Sequence, residues 1–208
     1  MKKENLKLLL DLTDPGIIAD NMPKEDLEES LPILAEKMGI NKLAEIVESD
    51  IIDNNFEFFL KNNVDPHILG RKISTMIAKR KLDLFTKYHI DINIIFEGKN
   101  IEDLLPDMKT LLEHGLSPNR FLSGDYVKEV MASMDILLPY HPDINFFVKN
   151  MTKDNALDNI KDLLKLKADV NLFVEKMDYP SEVIHWFDLL VEYDADTNLI
   201  AKILNSET

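Results

Sequence analysis

The chain has 208 residues, no cysteine, and 38 acidic side chains against 24 lysines and arginines, which gives a formal charge of −14. The missing thiols exclude disulfide frameworks and thiolate metal sites and fit a reducing compartment, while the negative excess argues against wholesale binding to nucleic acid or an anionic membrane. No apolar run approaches the roughly 18 residues of a membrane helix, and the start MKKENLKLLLDL has too short an apolar block for a secretory signal, so the expectation is a soluble cytoplasmic protein.

In chain order, residues 1–15 read as an N-terminal cap and are followed by a recurring element. Its last residue serves as an anchor: Asn41, His67, Asn93, Asn119, Asn145, Asn171 and Asn198 are separated by 26, 26, 26, 26, 26 and 27 residues. Counting back eight residues from each anchor gives Ile33, Phe59, Phe85, Leu111, Leu137, Leu163 and Leu190. Counting back eleven gives Ser30, Phe56, Leu82, Met108, Met134, Ile160 and Phe187, in which only Ser30 is polar. Apolar columns at offsets of three, four and eight mark one face of a helix, so each of seven units over 16–198 is expected to bury the same stripe. Residues 199–208 read as a C-terminal cap, and the whole chain as a single helical repeat domain.

Each predicted helix ends on a stop signal. Gly115 supplies the left-handed conformation common just past a helix end, and His89, His141, Lys167 and Asp194 occupy the same place in other units. Two residues later Asp65, Asp91, Asp143, Asp169 and Asp196 are placed to hydrogen-bond the following turn. Pro106 and Pro180 fall where a new helix would start, which favours two helices per unit over one. A leucine-rich repeat needs an alternating strand in each unit, and none appears in the shared columns.

These endings, LLEHGLSPN and LLKLKADVN among them, resemble the ankyrin repeat, over about residues 30 to 198. The resemblance implies an all-α, ankyrin-like solenoid of about seven 26-residue helix-turn-helix units. The family repeat is about 33 residues long and carries a Thr-Pro-Leu-His signature that is absent here. Either the hairpin between units or the first helix must therefore be shortened, and the sequence leaves both open.

Chemistry is scarce. The five histidines show no HExxH spacing, four of them fall at or near helix stops, and no phosphate-binding glycine loop or nucleophile elbow exists; no cofactor, metal site or catalytic residue is expected, and the chain reads as a non-enzyme. Charge is informative. Arg71, Lys72, Lys79, Arg80, Lys81 and Lys87 form a basic island, and Glu175, Asp178, Glu182, Asp188, Glu192, Asp194 and Asp196 an acidic end. The candidate partner-binding residues are Glu175, Asp178, Tyr179, Glu182 and Trp186 at that end, and Arg71, Lys79 and Arg80 in the island. The expected function is a protein-binding module, an inhibitor or adaptor of the immunity or viral counter-defence type that occupies one partner with a basic surface. The alternative is an acidic mimic of nucleic acid. Reversing Glu175, Asp178 and Glu182 is expected to slow association and leave the fold intact.

Overall fold

A computed structural model describes residues 3–205, with side chains described from position 5. The outer parts of the two expected caps, 1–2 and 206–208, lie outside the described residues. The described chain is helical with no strand, as the offsets predicted. It divides into two compact halves, Met1–Leu104 with Glu113–Leu116, and Leu105–Leu112 with Ser117–Thr208.

Both halves are built from the same unit. A short leading helix begins at or just before the anchor, as in Pro66–Lys72, Ile144–Asn150 and Asn171–Val174. A second helix in two pieces follows, such as Thr75–Arg80 with Leu82–Lys87 and Lys153–Asp158 with Ile160–Lys165. The pieces meet twelve residues before the anchor, at Asn55, Lys81, Ser133 and Asn159, where φ is −104° to −112° and ψ is 7° to 27°. At Asn55 and Asn159 the side-chain amide donates to the carbonyl four residues back, Ile51 and Asn155, and so competes with the helical ladder. Only positions 62–65 and 88–91 separate one unit's last helix from the next leading helix. There is no hairpin between them, and leading helices such as Ile92–Ile95 have as few as four residues. Both of the parts in question are short.

The stop signals work as the sequence suggested. Four residues before the anchor the backbone is left-handed in unit after unit: Asn63 (φ 56°), His89 (55°), Gly115 (93°), His141 (56°), Lys167 (68°) and Asp194 (58°). A non-glycine residue pays a steric cost there, so the surrounding turn must hold it. Asp65, Asp91, Asp169 and Asp196 do so by accepting the backbone N–H two residues on at 2.8–3.0 Å, and Asp143 accepts that of Phe146 at 2.9 Å. Asp14 makes the same bond to Gly16 at 2.7 Å. The expected N-terminal cap therefore already contains the turn of a further, partial unit.

The anchor side chain ties one unit to the next. The Oδ1 atom of Asn41 accepts the N–H of Asp65 at 2.8 Å, that of Asn119 accepts Asp143 at 2.8 Å, Asn145 accepts Asp169 at 2.7 Å and Asn171 accepts Asp196 at 2.8 Å. His67 is the exception. Its ring lies 3.5 Å from Glu97, and the Asp91 N–H has no partner among the described residues.

The core follows the columns. The residues eight before the anchor are 0% exposed from Phe59 to Leu190, and those two after it, Leu43, Leu69, Ile95, Phe121, Phe147 and Phe173, are also 0%. Neighbouring units interlock through the residue eleven before the anchor: Phe56 meets Phe85 of the next unit edge-on, ring centroids 5.5 Å apart. One expected core position fails. Phe187 is 46% exposed, with nothing among the described residues stacked on its ring. Its helix, Pro180–Glu192, is unbroken, and Trp186 is the half-buried residue instead.

Replacing His67 by Asn is expected to complete the missing link and raise stability by about 0.5–1.5 kcal/mol, the net value of one hydrogen bond. Urea denaturation reads this directly, and an unchanged or lower midpoint would mean that the link contributes nothing.

Candidate functional site

The basic island does not stand free. Arg71 lies 3.7 Å from Glu45, Arg80 3.2 Å and Lys81 2.8 Å from Asp53, and Lys87 2.7 Å from Glu57. Lys79 donates to the Asp103 carbonyl at 3.0 Å, and Lys72 to that of Val47 at 3.0 Å. These partners are 24 to 30 residues away, one unit along, so the island fastens neighbouring units together. Arg71, Lys79 and Arg80 are brought together as struts, with part of their surface still open to solvent.

At the acidic end the candidates separate into two kinds. Lys153 bridges Asp178 at 2.8 Å and Glu182 at 2.9 Å. Hydrogen bonds to Asp178 first, then Glu182, push its ammonium pKa up, and the bond from Lys153 is the main cause lowering that of Glu182. Glu182 also accepts the N–H groups of Asp178 (2.8 Å) and Tyr179 (3.1 Å), closing a capping box at the start of the Pro180–Glu192 helix. Reversing Glu182 would remove that cap and bring two lysines together, so the expectation that such a change spares the fold conflicts with its geometry. The Glu175 carboxylate, by contrast, is exposed and unpaired among the described residues.

Tyr179 is 58% exposed, with the Lys153 ammonium 5.3 Å from its ring centre. Trp186 is half-buried, edge-on to His185 at 4.8 Å and 5.9 Å from the Lys161 ammonium. Beside it the outer face of the same helix carries Ile184 (67% exposed), Phe187 (46%) and Val191 (56%). Their spacing of three and four puts them in one stripe. Upstream in this half the column of Phe187 is covered, with Ile160 0% and Met134 6% exposed, that of Val191 is mixed, with Leu164 2% and Leu138 37% exposed, and that of Ile184 is half-buried at Leu157 and Met131. Sequence columns identified Phe187 as core and could not show that the last unit leaves its stacking face open. Asp188 and Glu192 flank the stripe and are exposed.

Three of the five histidines sit at turns, His89 and His141 as left-handed residues and His114 3.3 Å from Asp83, while His67 and His185 lie in helices. Among the described residues no group of three or more His, Asp or Glu is arranged to hold a metal, and no helix is long and apolar enough to cross a membrane. No family model matches the chain, and no curated protein or solved structure matches it either.

One strut carries a pH signature. Hydrogen bonds from Lys87 (2.7 Å) and then Tyr88 (2.6 Å) hold the Glu57 carboxyl at about 2, below its ordinary 4.5. A depressed folded-state pKa contributes stability that is present above the ordinary value and lost as pH falls through the folded one. The stability gap between the wild type and Glu57→Gln should therefore be constant above about pH 4.5 and shrink toward pH 2. Denaturation at a series of pH values measures it, and a pH-independent gap would remove Glu57 from the account.

Proposed function

We propose that the chain is an ankyrin-like helical solenoid that works as a non-enzymatic protein-binding module, a cytoplasmic inhibitor or adaptor that occupies one partner. The observation that carries this reading is the exposed apolar stripe of Ile184, Phe187 and Val191, whose central residue Phe187 stands in a column that upstream units bury. An exposed apolar stripe with a charged border is the usual composition of a contact surface. Asp188, Glu192 and Glu175 make a basic partner surface the complementary one.

The nucleic-acid mimic is less well supported, since a mimic needs rows of free carboxylates. Asp53, Glu57, Asp178 and Glu182 are each engaged by a lysine or arginine of this chain.

The test is a paired measurement on Ile184→Ser/Phe187→Ser. Both side chains are exposed, so thermal stability should hold or rise. Affinity for a partner recovered by cross-linking in the native cell should fall about 30-fold or more, as when contact hot spots worth about 2 kcal/mol are truncated. Undiminished affinity would place the binding surface elsewhere.

A further inference from the structure

Within each half, neighbouring units are fastened by a second recurring contact in which a lysine stem lies along the junction and its ammonium caps backbone carbonyls. Lys72 donates to Val47 O at 3.0 Å, Lys99 to Gly70 O at 2.6 Å and Ile73 O at 2.5 Å, and Lys176 to Met151 O at 2.8 Å. Burial pushes the Lys99 ammonium pKa down. Val47, Ile73 and Met151 each stand six residues after an anchor, and the lysines stand five or six after the next one. One junction dispenses with a lysine by closing up. A Cβ on Gly124 would come within 2.0 Å of the Asn150 carbonyl oxygen, so only glycine fits there.

Of the junctions that lie wholly within one half, two have neither device. After Met151 the next acceptor in the series is Met177, and the positions that should supply its lysine are Ile203 and Leu204. The Met177 carbonyl accepts no hydrogen bond among the described residues. Beside it is a cavity of about 330 Å³ whose apolar walls are Val174, Met177, Leu199 and Ile203, with Glu175 and Asp178 at the rim. The first junction shows the same outcome. Met22, six residues after Gly16, faces Ile46 and Val47 where a lysine would stand, and a cavity of about 230 Å³ lies between them. Where the lysine is absent and the backbones do not close, a cavity remains.

We propose that the cavity at Met177 is a docking pocket for a lysine side chain of the partner protein. The chemistry is that of the three internal lysines: apolar walls for the methylene stem, a carbonyl for the ammonium, and Glu175 as an unpaired carboxylate at the mouth. The first-junction cavity is the poorer candidate, because Lys24 in its lining is bound to Asp50 and already brings an ammonium to it. Lys202 also lines the Met177 cavity, but unlike Lys24 it makes no hydrogen bond or ion pair among the described residues; its charge is offset by Glu175, while Asp178 is held by Lys153. The proposal rests on the protein-binding reading and names the contact that reading leaves unspecified.

The test uses the full chain with labelled methyl groups and two probes, the pentapeptide acetyl-Gly-Ser-Lys-Ser-Gly-amide and the same peptide with its lysine acetylated. The lysine peptide should give saturable shifts at the Met177, Val174, Leu199 and Ile203 methyls, and the acetylated one none. Glu175→Gln, at an exposed position that cannot unfold the chain, should weaken binding about two- to fivefold, the size of an exposed charge pair. Ile203→Lys should abolish it by supplying the missing internal lysine. Equal response to the two peptides, no shift at these methyls, or binding retained by a folded Ile203→Lys variant would each overturn the pocket. If the Ile184→Ser/Phe187→Ser variant still loses its partner while the peptide gives no shift, the pocket fails and the protein-binding reading stands.

Discussion

A side-chain carbonyl that accepts the backbone N–H of a turn one unit away is the contact on which the rest of this structure depends. The donor belongs to the aspartate that caps the next leading helix, so one residue pair settles two problems. The aspartate carboxylate satisfies N–H groups inside its own unit, and the anchor asparagine satisfies the aspartate's own N–H from the unit before. An N–H in such a turn has no helical partner, and left bare in a packed junction it would cost more than the net value of a hydrogen bond made. Because the bond is short and directional, it fixes the spacing at which units stack. The core columns interdigitate at that spacing, as Phe56 and Phe85 do.

Much of this was legible in the sequence because it is periodic. The anchors are asparagines for a reason that a single unit cannot display, yet their 26-residue spacing is visible without any structure. The same holds for the left-handed stop, which Gly115 announces and His89, His141, Lys167 and Asp194 repeat; histidine and aspartate are among the non-glycine residues enriched there. Contacts between units were not legible. Nothing local shows that Arg80 and Lys81 converge on Asp53, or that Glu182 caps a helix while pairing with Lys153. Nor does a column of apolar residues reveal that its last member, Phe187, has no neighbour to cover it. The interruption of the second helix at Asn55, Lys81, Ser133 and Asn159 was also hidden, since offsets of three, four and eight suit a bent helix as well as a straight one.

The charge distribution takes on a different meaning once its geometry is known. Sequence alone showed a net charge of −14 with a basic island and an acidic end; in the fold, several carboxylates are joined to cations one unit along. Exposed pairs of this kind contribute little singly. Their use here is in register, since each joins residues 24 to 30 apart and therefore discriminates the native stacking from a slipped one. Glu175, Asp188 and Glu192 are among the exposed carboxylates outside these pairs, and they lie close in sequence to the exposed stripe of the Pro180–Glu192 helix.

The most direct test of the asparagine contact is amide hydrogen exchange resolved at single residues. The aspartate N–H groups lie in exposed turns and outside the helical ladders, so ordinary solvent contact would let them exchange quickly. If the side-chain bonds hold the units together, Asp65, Asp143, Asp169 and Asp196 are protected to the level of the neighbouring helices, while Asp91, which faces His67, exchanges fast. Equally rapid exchange at all five positions would contradict the account, because the stacking would then owe nothing to the anchors.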